Sequence, residues 1–337
     1  MTGVALGRNT AAGGGAQSRG WIRELGQSGI TTSAISLGLA ALGRPGYLNV
    51  GHGEDFEDRS VEAMENRTHE LLDAAFAAGV RHFDAARSYG RAEDFLGSWL
   101  RSRLVAPGSV TISSKWGYTY TAGWRVDADP PEVKDLSAET FRRQLTETRD
   151  RLAPYLTLYQ IHSATLSSGV LDDFEVQSEL AALRSDGIAV GLSVSGTEQA
   201  ATIERAVQSA QFDTVQATWN LLERSAGDAL RYAHETGMGV IVKEALANGR
   251  LGPRGAVVPL VRAARRLGVS EDTLAIAGVL ALPWVDSVLS GATTTGQLQS
   301  NLAAFGTRWS DELEAKLSSL AEAPEQYWEA RSRLPWT

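Results

Sequence analysis

The stretch that decides the fold is Arg81-His82-Phe83-Asp84-Ala85-Ala86-Arg87-Ser88-Tyr89-Gly90-Arg91-Ala92-Glu93. Val80 and Phe83 mark a short apolar strand, and Gly79 stands where a preceding helix would end. An acid, a tyrosine five residues on, a glycine and a helix follow. A buried carboxylate at a strand end needs a partner. Lys115 is the candidate, near the end of Val110-Thr111-Ile112-Ser113-Ser114-Lys115-Trp116. A third apolar strand, Leu156-Thr157-Leu158-Tyr159-Gln160-Ile161, delivers His162. Asp84, Tyr89, Lys115 and His162 thus lie at or just past the carboxyl ends of successive predicted strands. In a parallel α/β barrel that face carries the chemistry.

The same alternation runs outward from this stretch. Segments of helical spacing, such as Phe95, Leu96, Trp99 and Leu100, or Val176, Leu180 and Leu183, end at a glycine that leads into an apolar run. Asn66 and Ser137 read as helix N-caps. Residues 34–39 are a predicted first strand, and later ones fall at 188–192, 214–217, 240–242 and 287–289. About eight strands alternating with helices from 34 to 305 predict a single α/β domain of the (β/α)8 TIM-barrel class. Residues 21–33 read as a β-hairpin, 43–59 as a polar loop over the barrel mouth, and 309–337 as a tail packing back over the barrel. No Gly-x-Gly-x-x-Gly links a strand to a helix, which disfavours the dinucleotide-binding Rossmann fold. Residues 1–19, rich in Gly, Ala and Ser, read as a disordered tail and not as a signal peptide, leaving 20–337 as the barrel domain.

Composition narrows the class of function. A net charge of −8 with no basic patch argues against nucleic acid. The absence of cysteine excludes disulfides and thiolate metal sites and fits a reducing cytoplasm. No apolar run approaches a membrane span. The five histidines show no His-x-x-x-His pair, so no metal site is expected. Lysine is scarce: the chain has only Lys115, Lys134, Lys243 and Lys316, and two of these stand at predicted strand ends.

Asp84 to Gly90 resembles the Phe-Asp-Thr-Ala-x-x-Tyr-Gly segment of the aldo-keto reductases. Lys115, and His162 after Leu158-Tyr159-Gln160-Ile161, match that family in order and approximate spacing. So do Gly191-Leu192-Ser193, Gln216-Ala217-Thr218-Trp219-Asn220-Leu221-Leu222, and Gly291-Ala292 followed by Asn301. The resemblance runs from about Trp21 to about Leu320. It implies an NAD(P)H-dependent oxidoreductase that reduces an aldehyde or ketone, or runs in reverse. The catalytic residues would be Asp84, Tyr89, Lys115 and His162. Gly38, Ser193, Gln216, Lys243, Leu246, Gly291, Thr293, Gln297 and Asn301 would bind the cofactor, with NADP(H) the usual choice and NAD(H) an alternative. The small-molecule carbonyl or alcohol substrate and the oligomeric state are not specified.

The chemistry of the quartet agrees. Carbonyl reduction needs a hydride donor, an acid for the growing alkoxide and a polar group to orient the oxygen. Tyr89 is the natural acid; an adjacent Lys115 ammonium would lower its pKa, Asp84 would hold Lys115, and His162 would bond the carbonyl oxygen. Asp84 and Lys115 also fit a purely structural ion pair. Trp116, Tyr118, Trp124 and Trp219 fit either a substrate pocket or the core, and Glu93 reads as helix surface or cap partner.

Four positions depart from the family. Val194 replaces the usual Asn that grips the nicotinamide amide, leaving Ser193 and Gln216. Lys243 replaces an aromatic that stacks on the nicotinamide. Gln297 replaces an Arg used on the adenosine phosphate, and Ser300 its neighbouring acid. NADPH is therefore expected to be preferred by less than about 100-fold. Two rival readings stay open: a Schiff-base aldolase using Lys115, and a non-catalytic barrel that senses cofactor or binds a partner.

Overall fold

The computed structural model describes residues 19–336. The tail expected over 1–19 therefore lies, apart from Arg19, outside the described residues. The described residues open with a β-hairpin of β1 (Ile22–Glu24) and β2 (Thr31–Ser33), paired antiparallel. The strands β3 (Ile35–Gly38), β4 (His82–Asp84) and β5 (Thr111–Trp116) follow. A second antiparallel hairpin, β6 (Tyr118–Tyr120) and β7 (Glu132–Lys134), interrupts the alternation. Then come β8 (Leu156–Ala164), β9 (Ala189–Val194), β10 (Thr214–Thr218), β11 (Gly239–Lys243) and β12 (Ser287–Ser290). Strands β3, β4, β5, β8, β9, β10, β11 and β12 pair in parallel and close into a barrel in that order, with β12 back on β3. This is the (β/α)8 barrel.

Helices α1 (Val61–Ala77), α2 (Ala92–Ser102), α3 (Ala138–Leu152), α4 (Phe174–Ser185), α5 (Gln199–Ser209) and α6 (Gly227–Glu235) follow the strands in turn. Two helices, α7 (Val258–Leu267) and α8 (Glu271–Leu280), connect β11 to β12. After α9 (Thr295–Ala303), the helices α10 (Asp311–Leu317) and α11 (Pro324–Ser332) form the tail.

The periodicities account for these elements. Every residue of β5 and β10 is buried, as in strands covered on both faces. On α2 the stripe Phe95, Leu96, Trp99 and Leu100 is buried against the barrel. Gly187 and Gly237, which end helical segments, take φ of 83° and 95°, the left-handed region that glycine adopts without a Cβ penalty. Ser137 caps α3 by accepting from the Thr140 amide at 3.2 Å. Asn66 is not a cap. It lies within α1, whose N-cap is Ser60, because the apolar phase set by Val61 and Met64 extends the helix upstream.

The hairpin seals the amino-terminal end of the barrel. Leu25 packs inside on Leu158 and Ile241. His82 is fully buried there, bonded to Thr32 at 3.1 Å and Ser113 at 2.8 Å, and burial lowers its pKa to about 4. The tail packs back over the other end, with Tyr327 buried and its hydroxyl receiving a 3.0 Å bond from Asn220. Among the described residues no helix is long and apolar enough to cross a membrane.

Candidate active site

Parallel strands deliver Asp84, Lys115, His162, Ser193, Gln216 and Lys243 to one rim, around a cavity of about 820 Å³. At its floor Asp84 and Lys115 form a salt bridge, with side chains 2% and 1% exposed. Lys115 Nζ also donates to the Ala85 carbonyl at 3.1 Å. The Asp84 carboxylate accepts from Ser113 at 2.6 Å, Gln160 at 3.3 Å and Gln216 at 3.4 Å. The buried charges are thus paired and their remaining lone pairs largely satisfied, which such a pair requires.

Tyr89 lies above this pair, with Lys115 Nζ 5.1 Å from its ring centroid. Its phenol is pushed up from the ordinary value, first by burial and then by Asp84, with Arg44 opposing. The expected net lowering by Lys115 is therefore not what this geometry produces: Asp84 engages the ammonium, and desolvation dominates. His162 stands edge-on to Tyr89 at 5.4 Å and to Tyr118 at 5.0 Å between ring centroids. Burial holds its pKa well below the usual value, and Lys115, Arg44, Lys243 and Lys134 add to the effect. The ring is neutral at pH 7. Its Nδ1 lies 3.4 Å from Ser88 Oγ, so Nε2 is the nitrogen that can serve a ligand.

His162 belongs to β8 itself, which runs to Ala164 and shifts register against β9 between Ile161 and Ala164. The next residue, Ser163, has φ of 55°, and Glu244, Ala247 and Asn248 past β11 have φ of 55°, 48° and 54°. Such backbone costs roughly 1–3 kcal/mol per residue and gathers at functional sites.

The other expected cofactor residues fall along the same cavity. Gly38, Ser193, Gln216, Lys243, Leu246, Gly291, Gln297 and Asn301 line it with Asp84, Tyr89 and His162. Lys115 lies just beneath the surface, and Thr293 is buried, with its hydroxyl on Asp55 at 2.7 Å. Val194 is fully buried in the barrel wall, whereas Ser193 Oγ accepts from the Ser163 amide at 2.9 Å. Lys243 donates to Thr218 at 2.8 Å and Ser195 at 3.1 Å, and lies 3.8 Å from Glu244.

Several residues of the site carry no signal in the sequence. Arg44, 4% exposed, sits 5.3 Å over the Tyr89 ring and 4.4 Å over Trp336, and donates to Ser88 and Glu132. Arg331 of α11 clasps the Glu244 carboxylate, whose pKa falls to about 2 because Lys243 and Arg331 outweigh the upward push of burial. Glu93 is not surface. It is 1% exposed, accepts from Ser114 at 2.6 Å and Thr148 at 2.8 Å, and pairs with Arg87. Of the four aromatics, Tyr118 lines the cavity; Trp116 and Trp219 are buried beside Phe141 and Trp284, and Trp124 packs on Phe95.

A profile described as "Aldo/keto reductase family" matches residues 34–322, and the chain belongs to that family. It is 22% identical over 322 residues to the uncharacterized oxidoreductase YqkF of Bacillus subtilis, covering 87% of this chain and 94% of that one. It is 25% identical to a pyridoxal 4-dehydrogenase of Microbacterium luteolum, covering 88% and 96%. A third relative, also 25% identical and covering 90% and 98%, is the NADH-specific methylglyoxal reductase of Escherichia coli. Among solved structures, a putative aldo-keto reductase from Pseudomonas aeruginosa superposes with a TM-score of 0.63 at 26% identity, over 84% of this chain and 94% of that one. One from Bacillus halodurans shares the fold, with a TM-score of 0.69 at 20% identity over 90% and 96%. The family and these relatives support an oxidoreductase, and the family generally uses nicotinamide cofactors.

The donor set fits a nicotinamide dinucleotide. The cavity extends from Tyr89 and His162 to α9, and its lining mixes apolar surface with hydrogen-bonding groups such as Ser193, Gln216, Asn248, Gln297 and Asn301. Three buried side-chain oxygens in its wall, Asn49 Oδ1, Asn248 Oδ1 and Asp272 Oδ1, have no partner. The cavity also carries two lysines, Lys134 and Lys243, whose pKa values burial lowers. Burial lowers the Lys243 pKa to about 8, although Glu244 opposes it. The ammonium is kept below that pH and lost above it. An anionic dinucleotide that uses this charge should bind with constant affinity below pH 8 and progressively more weakly above. In Lys243→Gln the decline should vanish. Fluorescence titrations from pH 6.5 to 9.5 check this; an unchanged decline in the variant would place Lys243 outside the binding site.

Proposed function

We propose that this chain reduces an aldehyde or ketone with a nicotinamide dinucleotide, or runs the reverse oxidation, with Tyr89 as the general acid. The observation that carries the reading is the convergence of Tyr89, neutral His162 and the buried Asp84–Lys115 pair at one end of an 820 Å³ cavity. When bound, the nicotinamide supplies a hydride to the carbonyl carbon. His162 donates a hydrogen bond to the carbonyl oxygen and fixes its position. Tyr89, held protonated by burial, gives its proton to that oxygen as negative charge grows there, so the product leaves as an alcohol. The Lys115 ammonium and the Arg44 guanidinium beside the ring stabilise the transient phenolate. Ser193 and Gln216 take the carboxamide in place of the missing Asn.

Curated relatives named pyridoxal 4-dehydrogenase, methylglyoxal reductase and L-galactose dehydrogenase suggest a small polar carbonyl compound or sugar as substrate; a chain without cysteine suits the reducing cytoplasm as its compartment. Family resemblance favours NADPH; the name of the Escherichia coli relative points to NADH. A Schiff-base role for Lys115 is disfavoured, because its amine is buried and held by a carboxylate. The test is oxidation of NADH or NADPH in the presence of a panel of aldehydes, ketones and aldoses. Turnover supports the reading, and binding without turnover of any member replaces it with the non-catalytic one.

A further inference from the structure

The cavity wall at the β12–α9 segment holds two carboxylates, Asp55 and Asp272, that an extra phosphate would have to face. We propose that Asp55 sets the choice of dinucleotide, disfavouring the 2′-phosphate of NADPH and turning the site toward NADH. This rests on the dinucleotide reading above. Hydride transfer requires the nicotinamide beside Tyr89 and His162, so the adenosine half extends along the cavity to the β12–α9 segment.

Asp55 reaches that segment from the long loop after β3. Its carboxylate accepts from Thr293 Oγ1 at 2.7 Å and Gln297 Nε2 at 3.0 Å, the two side chains that would otherwise meet a phosphate. Arg254, from the loop after β11, donates to its other oxygen at 2.7 Å. The carboxylate is 6% exposed. Burial works against its charge, yet the bonds from Arg254, Thr293 and Gln297 hold its pKa below the ordinary carboxylate range, so it is an anion at neutral pH.

A second acid lies nearby. Asp272, 5% exposed, lines the cavity with Oδ1 unpartnered. Its Oδ2 receives the Asn301 amide at 3.0 Å when that amide is oriented to satisfy its neighbours. The unpartnered oxygen is an acceptor awaiting a donor. The nearby guanidiniums already have carboxylate partners: Arg254 pairs with Asp55 and donates to the Gly51 carbonyl, and Arg67 lies 3.9 Å from Glu70 and 3.5 Å from the Thr293 carbonyl. A ribose 2′-hydroxyl can donate to a carboxylate with a lone pair to spare, whereas a phosphate dianion is repelled by it and must compete with carboxylates for the nearby guanidiniums. The sign of the preference is thus opposite to the one expected from family resemblance. It also explains why Gln297→Arg alone should achieve little: the new guanidinium would pair with Asp55.

Intrinsic fluorescence of the full chain, which has nine tryptophans, gives dissociation constants for NADH and NADPH at one ionic strength. Wild type should bind NADH at least about 10-fold more tightly, roughly the effect of one opposed charge at a part-exposed site. Asp55→Asn should tighten NADPH about 10-fold with little change for NADH, and adding Gln297→Arg to it should tighten NADPH further. Competition needs no variant: 5′-AMP should displace NADH more effectively than adenosine 2′,5′-bisphosphate. Equal affinities, tighter NADPH in wild type, or an Asp55→Asn variant with unchanged ratio would overturn the proposal while leaving the dinucleotide reading in place. Failure of both dinucleotides to bind would overturn that reading and this proposal with it.

Discussion

Tyr89→Phe should still bind the dinucleotide but lose at least about 10²-fold in kcat. The substitution removes one hydroxyl and leaves the ring, so the edge contact with His162 and the Arg44 stack over it persist. Tyr118 and Tyr47 also line the cavity, 5.0 Å from the His162 ring and 5.7 Å from the Arg44 guanidinium, but Tyr89 is the phenol that has Lys115 Nζ over its ring. Loss of kcat with unchanged dissociation constant marks a group that acts in the transition state. Because burial keeps the phenol protonated, the wild-type reduction rate should show no loss of this acid up to at least pH 9. Undiminished turnover in Tyr89→Phe would remove the assignment.

The second large effect concerns the buried pair. Lys115→Met leaves Asp84, 2% exposed, with only neutral donors from Ser113, Gln160 and Gln216. Breaking a buried pair by removing one partner costs roughly 3–5 kcal/mol, because the remaining charge is uncompensated. Lys115→Met should therefore lose both turnover and much of the stability margin. Asp84→Asn should be milder in kcat, since the ammonium near Tyr89 survives. The double variant Asp84→Asn/Lys115→Met should recover most of the stability and none of the activity. Denaturant unfolding of the three variants with initial rates separates the two effects. A Lys115→Met protein as stable and active as wild type would reduce the pair to a structural ornament of the strand ends.

How much of this was legible beforehand follows from where each residue sits. Asp84, Lys115, His162, Ser193, Gln216 and Lys243 are carried by regular strands, and apolar runs with helix-ending glycines reveal strand ends. Their approach to one another follows from barrel closure alone. Asp55 was hidden because its partner Gln297 lies 242 positions away and its loop has no periodicity. Arg331 meets Glu244 across 87 positions through a tail whose docking no local pattern specifies. Arg44 looks like any other surface arginine until Tyr89 and Trp336 enclose it. Glu93 was misread for a related reason. The helical phase leaves its face ambiguous, and only the neighbouring Ser114, Thr148 and Arg87 make a buried carboxylate tolerable there. The Tyr89 phenol shows the same limit, since a nearby lysine suggests a lowered pKa, whereas burial depth and the Asp84 charge decide its direction.

The most direct test of the central claim follows the hydride itself. The full chain is incubated with NADH or NADPH carrying deuterium at both C4 positions and with a panel of aldehydes and ketones, and the products are read by NMR. The account predicts one deuterium at the carbinol carbon of at least one product, formed by wild type and suppressed at least about 10²-fold in Tyr89→Phe. No labelled alcohol from any carbonyl compound, under conditions where fluorescence shows the dinucleotide bound, would contradict it.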